Sequence, residues 1–154
     1  MGRRWLSIGL LAAVLFVINV VARLVARFGF PDDTEANDRL SLLMFALIGL
    51  ILAAVVIVRA RREPVAEWSG DLAAAVGAAM LLTVLVGPFV SGSRPFADGA
   101  GEFFSQIWLY LAFTGGGALL GYLLLTAAGR DHRSQSLKRY VELSSTKPRR
   151  VVRR

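Results

Sequence analysis

Residues 40–58 read LSLLMFALIGLILAAVVIV, a run with no charged side chain. A helix rises 1.5 Å per residue, so roughly 20 apolar residues cross the ~30 Å of hydrocarbon in a bilayer, and this run has that length. Three more stretches match it: Trp5–Ala22, Leu72–Val90 and Phe103–Ala128 are equally free of charge. The 154-residue chain is 55% hydrophobic with a mean hydropathy of +0.56, more apolar than an ordinary soluble domain. The expected fold is an all-α membrane protein. It would be a four-transmembrane-helix antiparallel bundle with spans at about 5–27, 40–58, 70–90 and 103–128, followed by a basic cytoplasmic tail at 129–154.

Composition removes several kinds of chemistry. The chain has no cysteine, which excludes disulfides, thiolate metal sites, iron–sulfur clusters and cysteine nucleophiles. Its one histidine, His132, lies in the hydrophilic tail, so histidine pairs holding haem inside the bilayer are excluded. Polar side chains inside the apolar blocks include Asn19, Thr83, Ser105, Gln106, Tyr110 and Thr114, and no acid or histidine lies within the blocks beside them. Hydroxyls of this kind usually bond a backbone carbonyl one turn earlier. No catalytic residue, cofactor or metal is expected. The net charge of +7 comes without aromatic interleaving or a recognised module, so no nucleic-acid partner is expected.

The charges outside the blocks set an orientation. FGFPDDTEANDR, residues 28–39, is acidic, whereas the next connection gathers Arg59, Arg61 and Arg62. With the N-terminus inside, 14 of the 18 basic residues fall on the cytoplasmic side, the side that basic loops favour. The expectation is a multi-pass plasma-membrane protein with both termini cytoplasmic. Residues 3–22, RRWLSIGLLAAVLFVINVVA, also have the layout of a signal peptide with paired arginines. The reading adopted is a retained signal-anchor.

Within NVVARLVARF, residues 19–28, the side chains of Asn19, Arg23 and Arg27 recur every four positions and share one face of the first helix. Three readings compete. The arginines anchor the outer interface, they tie the first hairpin to the rest or to a partner, or they contact an anionic ligand such as a lipid headgroup. The expected ion-pair partners are Asp32, Asp33, Glu35, Asp38, Asp98 and Glu102. Asp71 belongs to the opposite end.

Small residues mark packing faces. Gly117 and Gly121 form a GxxxG in the fourth span, and Ala73 with Gly77 leads a small-residue face in the third, so these two spans are expected to pack on one another. Ala46, Gly49 and Ala53 repeat the pattern less densely in the second span. The triplet Gly115–Gly117 raises the idea of a broken helix, and the acidic loop 32–38 that of a divalent-cation site. The preferred readings are an unbroken span and a solvated loop with Asp38 or Thr34 capping the second helix. Ser69 or Asp71 is expected to cap the third. In the tail, Leu137, Tyr140 and Val141 sit at helical spacing, and Lys147, Arg149, Arg150, Arg153 and Arg154 suit an anionic inner leaflet.

The functional expectation is a non-enzymatic accessory or assembly subunit, with membrane lipids and either a protein partner or a second copy as its company. The alternative is a small transporter or lipid-binding protein that uses Arg23 and Asn19. A regulatory protein acting through its basic tail is a third class.

Overall fold

A computed structural model describes residues 2–30, 33–92, 94, 96 and 99–146. These residues form helices α1 (Gly2–Gly29), α2 (Thr34–Arg62), α3 (Val65–Leu81), a π-helical turn (Leu82–Val86), α4 (Gly87–Val90), α5 (Ala100–Ala127) and α6 (His132–Thr146), with no strand among them. Four helical segments are long and apolar enough to cross a membrane: α1, α2, the continuous rod α3–π–α4, and the segment that begins with α5. Their apolar residues are not confined to one stripe. Val17, Val21 and Leu24 on α1, Leu43, Leu47 and Leu50 on α2, and Leu119, Leu120, Leu123 and Leu124 on α5 all face outward. Helices apolar on every side are at home in hydrocarbon, where their backbone groups are satisfied internally.

The helices run past the charge-free blocks because their stop signals lie further out. Asp33 caps α2 by accepting a 2.9 Å hydrogen bond from the Ala36 N–H. This corrects the expectation of Asp38 or Thr34, both of which lie within the helix. At the other end of α2, Glu63 is extended (φ −131°, ψ 147°), as a residue before proline should be, and Pro64 opens α3. Ser69 and Asp71 are therefore inside α3 and cap nothing, a second correction. Asp71 instead pairs with Arg4 of α1 at 2.7 Å. Arg4 is solvent-exposed and the pair is screened through it, so Asp71→Asn is expected to leave the midpoint of a denaturation titration nearly unchanged. Gly129, at φ +60°, ends α5 in a Schellman turn, with Arg130 N–H on the Leu125 carbonyl and Gly129 N–H on that of Thr126.

The most extensive packing joins α2 to α5, and next α1 to α3. Gly49 lies against Gly117, and Ala53 against Gly121, so α2 and α5 run in the same direction at their contact. Phe45 adds a ring contact with Tyr110 and another with Phe113. Arg4 meets Asp71 near the start of α1 and α3, while Arg27 meets Val90 at the far end, so these two rods are parallel as well. Consecutive helices alternate, but the closest pairs are parallel. The GxxxG of the fourth span thus meets the second span and not the third, which corrects the expected pairing. Ala73 is exposed, and a methyl added at Gly77 would meet nothing within 4 Å. The physical reason is mutual fit: Gly49 and Ala53 match the spacing of Gly117 and Gly121, while α3 is drawn to α1 by its other face. The glycine triplet does not break α5, which is helical throughout Ala100–Ala127.

One end of the molecule, where α1 and α4 finish and α2 and α5 begin, carries Asp33, Glu35, Asp38 and Glu102; it is termed the acidic end. The basic end carries Arg4, Arg59, Arg61 and Arg62. There α6 leaves Leu137, Tyr140, Val141 and Leu143 exposed. Lys147, Arg149, Arg150, Arg153 and Arg154, together with Asp32 and Asp98, lie outside the described residues.

Candidate functional site

The stripe Asn19–Arg23–Arg27 faces the other helices. Asn19 is only 1% exposed. Its Nδ2 donates to the Met44 sulfur at 3.1 Å, and its Oδ1 accepts from Arg23 Nε at 3.1 Å. Helical side chains lean toward the N-terminus, and the Arg23 guanidinium follows that lean toward Asn19, one turn down. Its Nη1 reaches Ser91 Oγ at 3.5 Å and its Nη2 reaches Gln106 Oε1 at 3.4 Å, both at the long end of hydrogen bonding. Arg27 donates from Nη1 to the Val90 carbonyl at 3.1 Å and lies over the Phe28 ring, 5.7 Å from its centroid.

The third span makes room for this. On α3 the buried positions Trp68, Leu72, Ala75 and Ala79 follow α-helical spacing, which would continue to Leu82 and Val86. Across the π-helical turn the buried set becomes Thr83, Val84, Gly87 and Pro88, while Leu82 and Val86 face outward. A π-turn inserts one residue per turn and so rotates everything after it. Gly87 N–H reaches back to the Leu82 carbonyl, and the turn leads into the Gly87–Pro88 step, whose proline cannot donate to an α-helical ladder. The rotation sets Gly87 against the arginine. A methyl there would lie 2.8 Å from Arg23 Nε, 3.0 Å from Asn19 Oδ1 and 3.2 Å from Arg23 Cζ. Only glycine lets the guanidinium lie on this backbone.

Beside the guanidinium is a cavity of about 400 Å³ between α1, α2, α5 and the π-turn. Asn19 and Thr83 are its most buried polar lining, Arg23 is half-buried, and Asp38 and Glu102 are exposed at its rim. Ala22 and Ala26 also line this space, and their small side chains leave it open. Thr83 is 2% exposed, and its hydroxyl has no hydrogen-bond partner among the described residues. Thr114 and Thr126 show the ordinary alternative, each bonding a carbonyl one turn back.

The expected ion-pair partners therefore divide. Asp33 caps α2 and Glu35 pairs with Arg39. Asp38 and Glu102 share the cavity with Arg23, but among the described residues no carboxylate comes within ion-pair distance of it. Among the described residues Arg23 is held by neutral acceptors alone. A guanidinium so held keeps donor capacity and full charge for an anion. Sequence reading found Asn19 and Arg23 through their spacing. It missed Gly87, Ser91 and the turn of Thr83, for which the one local signal is a Gly-Pro step inside an apolar span. Compared with protein-family models, curated proteins and solved structures, the chain matches none.

Proposed function

We propose that this chain is an integral protein of the plasma membrane, crossing it four times with both termini cytoplasmic, and that it serves as a non-enzymatic accessory or assembly subunit of a membrane complex. The observation that supports this is the open face of α3. Gly70 and Gly77 have nothing within 4 Å of an added methyl, and Ala73, Ala74 and Ala78 beside them are exposed. The comparable small-residue faces of α2 and α5 are closed against each other. Small residues at one-turn spacing admit a second helix at backbone contact, the basis of helix association where lipid offers no hydrophobic drive.

The test is purification from native membranes in mild detergent, with mass spectrometry of what remains bound. A stoichiometric protein is expected to accompany the wild type and to be lost from Gly77→Leu, which has room to fold. Transport or catalysis by the purified protein alone in liposomes would overturn the reading. Orientation has its own check, since the chain has no native cysteine. In intact cells a membrane-impermeant thiol reagent should modify Glu35→Cys and spare Ser136→Cys; the reverse pattern contradicts both termini being inside.

The second reading, a transporter or lipid-binding protein, draws on the cleft that holds Arg23.

A further inference from the structure

We propose that the cleft beside Arg23 binds a molecule carrying a phosphate and a primary ammonium group together, the chemistry of an ethanolamine-phosphate lipid headgroup; this rests on the lipid-binding reading.

The anionic half follows from Arg23. Its charge has no carboxylate within ion-pair distance among the described residues, and its bonds to Ser91 and Gln106 are long. A guanidinium fork matches phosphate oxygens in geometry and charge. Thr83 supplies a second, independent sign. A buried hydroxyl without a partner is costly, and the threonines of the fourth span, Thr114 and Thr126, avoid that cost by bonding backwards. At the cavity wall the Thr83 hydroxyl can donate to an acceptor that enters from the acidic end.

The cationic half follows from the rim. A simple anion approaching Arg23 passes Asp38 and Glu102, which make no ion pair among the described residues. Two rim carboxylates against one guanidinium repel a bare anion and attract a ligand that brings its own cation. An ammonium with N–H donors satisfies them; a quaternary ammonium, lacking donors, does so less well. Apart from Ser41 the remaining walls, which include Leu40, Leu42, Phe45 and Leu109, are apolar and suit the start of an acyl chain.

The full-length protein in mild detergent is equilibrated with mixed micelles of phosphatidylethanolamine, phosphatidylglycerol and phosphatidylcholine sharing the same acyl chains. Lipid retained per protein after washing is measured by mass spectrometry. Wild type is expected to keep phosphatidylethanolamine about tenfold over either competitor, as loss of a charge-assisted contact implies. Arg23→Gln should bring retention to background. The double substitution Asp38→Asn with Glu102→Gln, at exposed positions, should reduce phosphatidylethanolamine to the phosphatidylglycerol level, and it carries the test if Arg23→Gln fails to fold. Free phosphoethanolamine in excess locates the source: displacement of the lipid, with binding in detergent alone, assigns the site to a soluble amine-phosphate, and no displacement assigns it to lipid. Either result supports the shared chemistry. Equal retention of phosphatidylglycerol, or an unchanged preference in the rim variant, overturns the proposal while leaving anion binding in place. Retention of no lipid and no phosphoethanolamine overturns the lipid-binding reading with it.

Discussion

Gly117→Leu is expected to abolish the folded four-span unit. The glycine Cα faces the Gly49 backbone, and any side chain at this position would overlap the Gly49 carbonyl. Backbone cannot step aside as a flexible side chain does. Overpacking ordinarily costs about 1–3 kcal/mol and more where nothing yields, and this contact is the centre of the most extensive interface in the protein. Thermal unfolding followed by circular dichroism in mild detergent should show a loss of about 3 kcal/mol or more, or no folded species. Gly121→Leu should behave similarly, because an added methyl would lie 2.8 Å from Ala53 Cα. Gly115→Ala is the control: its methyl meets nothing within 4 Å, and alanine is the better helix former. A Gly117→Leu protein as stable as wild type would mean that α2 and α5 do not touch here.

The second large effect is at the arginine. Asn19→Leu removes the acceptor at 3.1 Å that holds Arg23 Nε and leaves the guanidinium with its two long bonds. Hydrogen bonds to charged groups contribute about 1.5–3 kcal/mol in proteins. A loss of about 2 kcal/mol is expected. Gly87→Ala should cost about 1–2 kcal/mol by a related route, since its methyl displaces Arg23 Nε, the tip of a side chain that can move. Because both substitutions spoil one contact, the double variant should lose clearly less than the sum. Additive losses would show that Gly87 and Asn19 act on different groups.

The four apolar rods are legible in the sequence because hydrocarbon thickness is a long-range average over a whole block, and no single residue can hide it. Helix ends are legible only when the right punctuation is weighed. Pro64 outranks Ser69 and Asp71 because proline fixes its own φ and its predecessor's conformation, whereas a side-chain cap is optional. The pairing of rods is harder. Small residues occur on the second, third and fourth spans, and the choice between them depends on which two faces coincide in height and direction. That property belongs to the assembled helices and to no one of them. At the site, the stripe of Asn19 and Arg23 announces itself by spacing. Gly87 does not, because its role depends on a one-residue rotation at Leu82–Val86 that no propensity encodes. Thr83 is legible as a hydroxyl in a span, but its lack of a back-bond follows from the same rotation.

The rotation at the π-helical turn brings Thr83 and Gly87, and not Val86, toward the polar cleft of Arg23. Substituted-cysteine accessibility tests it directly, on a chain with no cysteine to remove. Single cysteines at Leu82, Thr83, Leu85 and Val86 are exposed to a charged methanethiosulfonate reagent from both sides of permeabilised membranes. The prediction is modification at Thr83→Cys, which lines the cavity, with Leu82→Cys, Leu85→Cys and Val86→Cys shielded by lipid. Modification of Val86→Cys with Thr83→Cys inert is the pattern of a third span whose face is not rotated toward the cleft, and it would contradict the site described above.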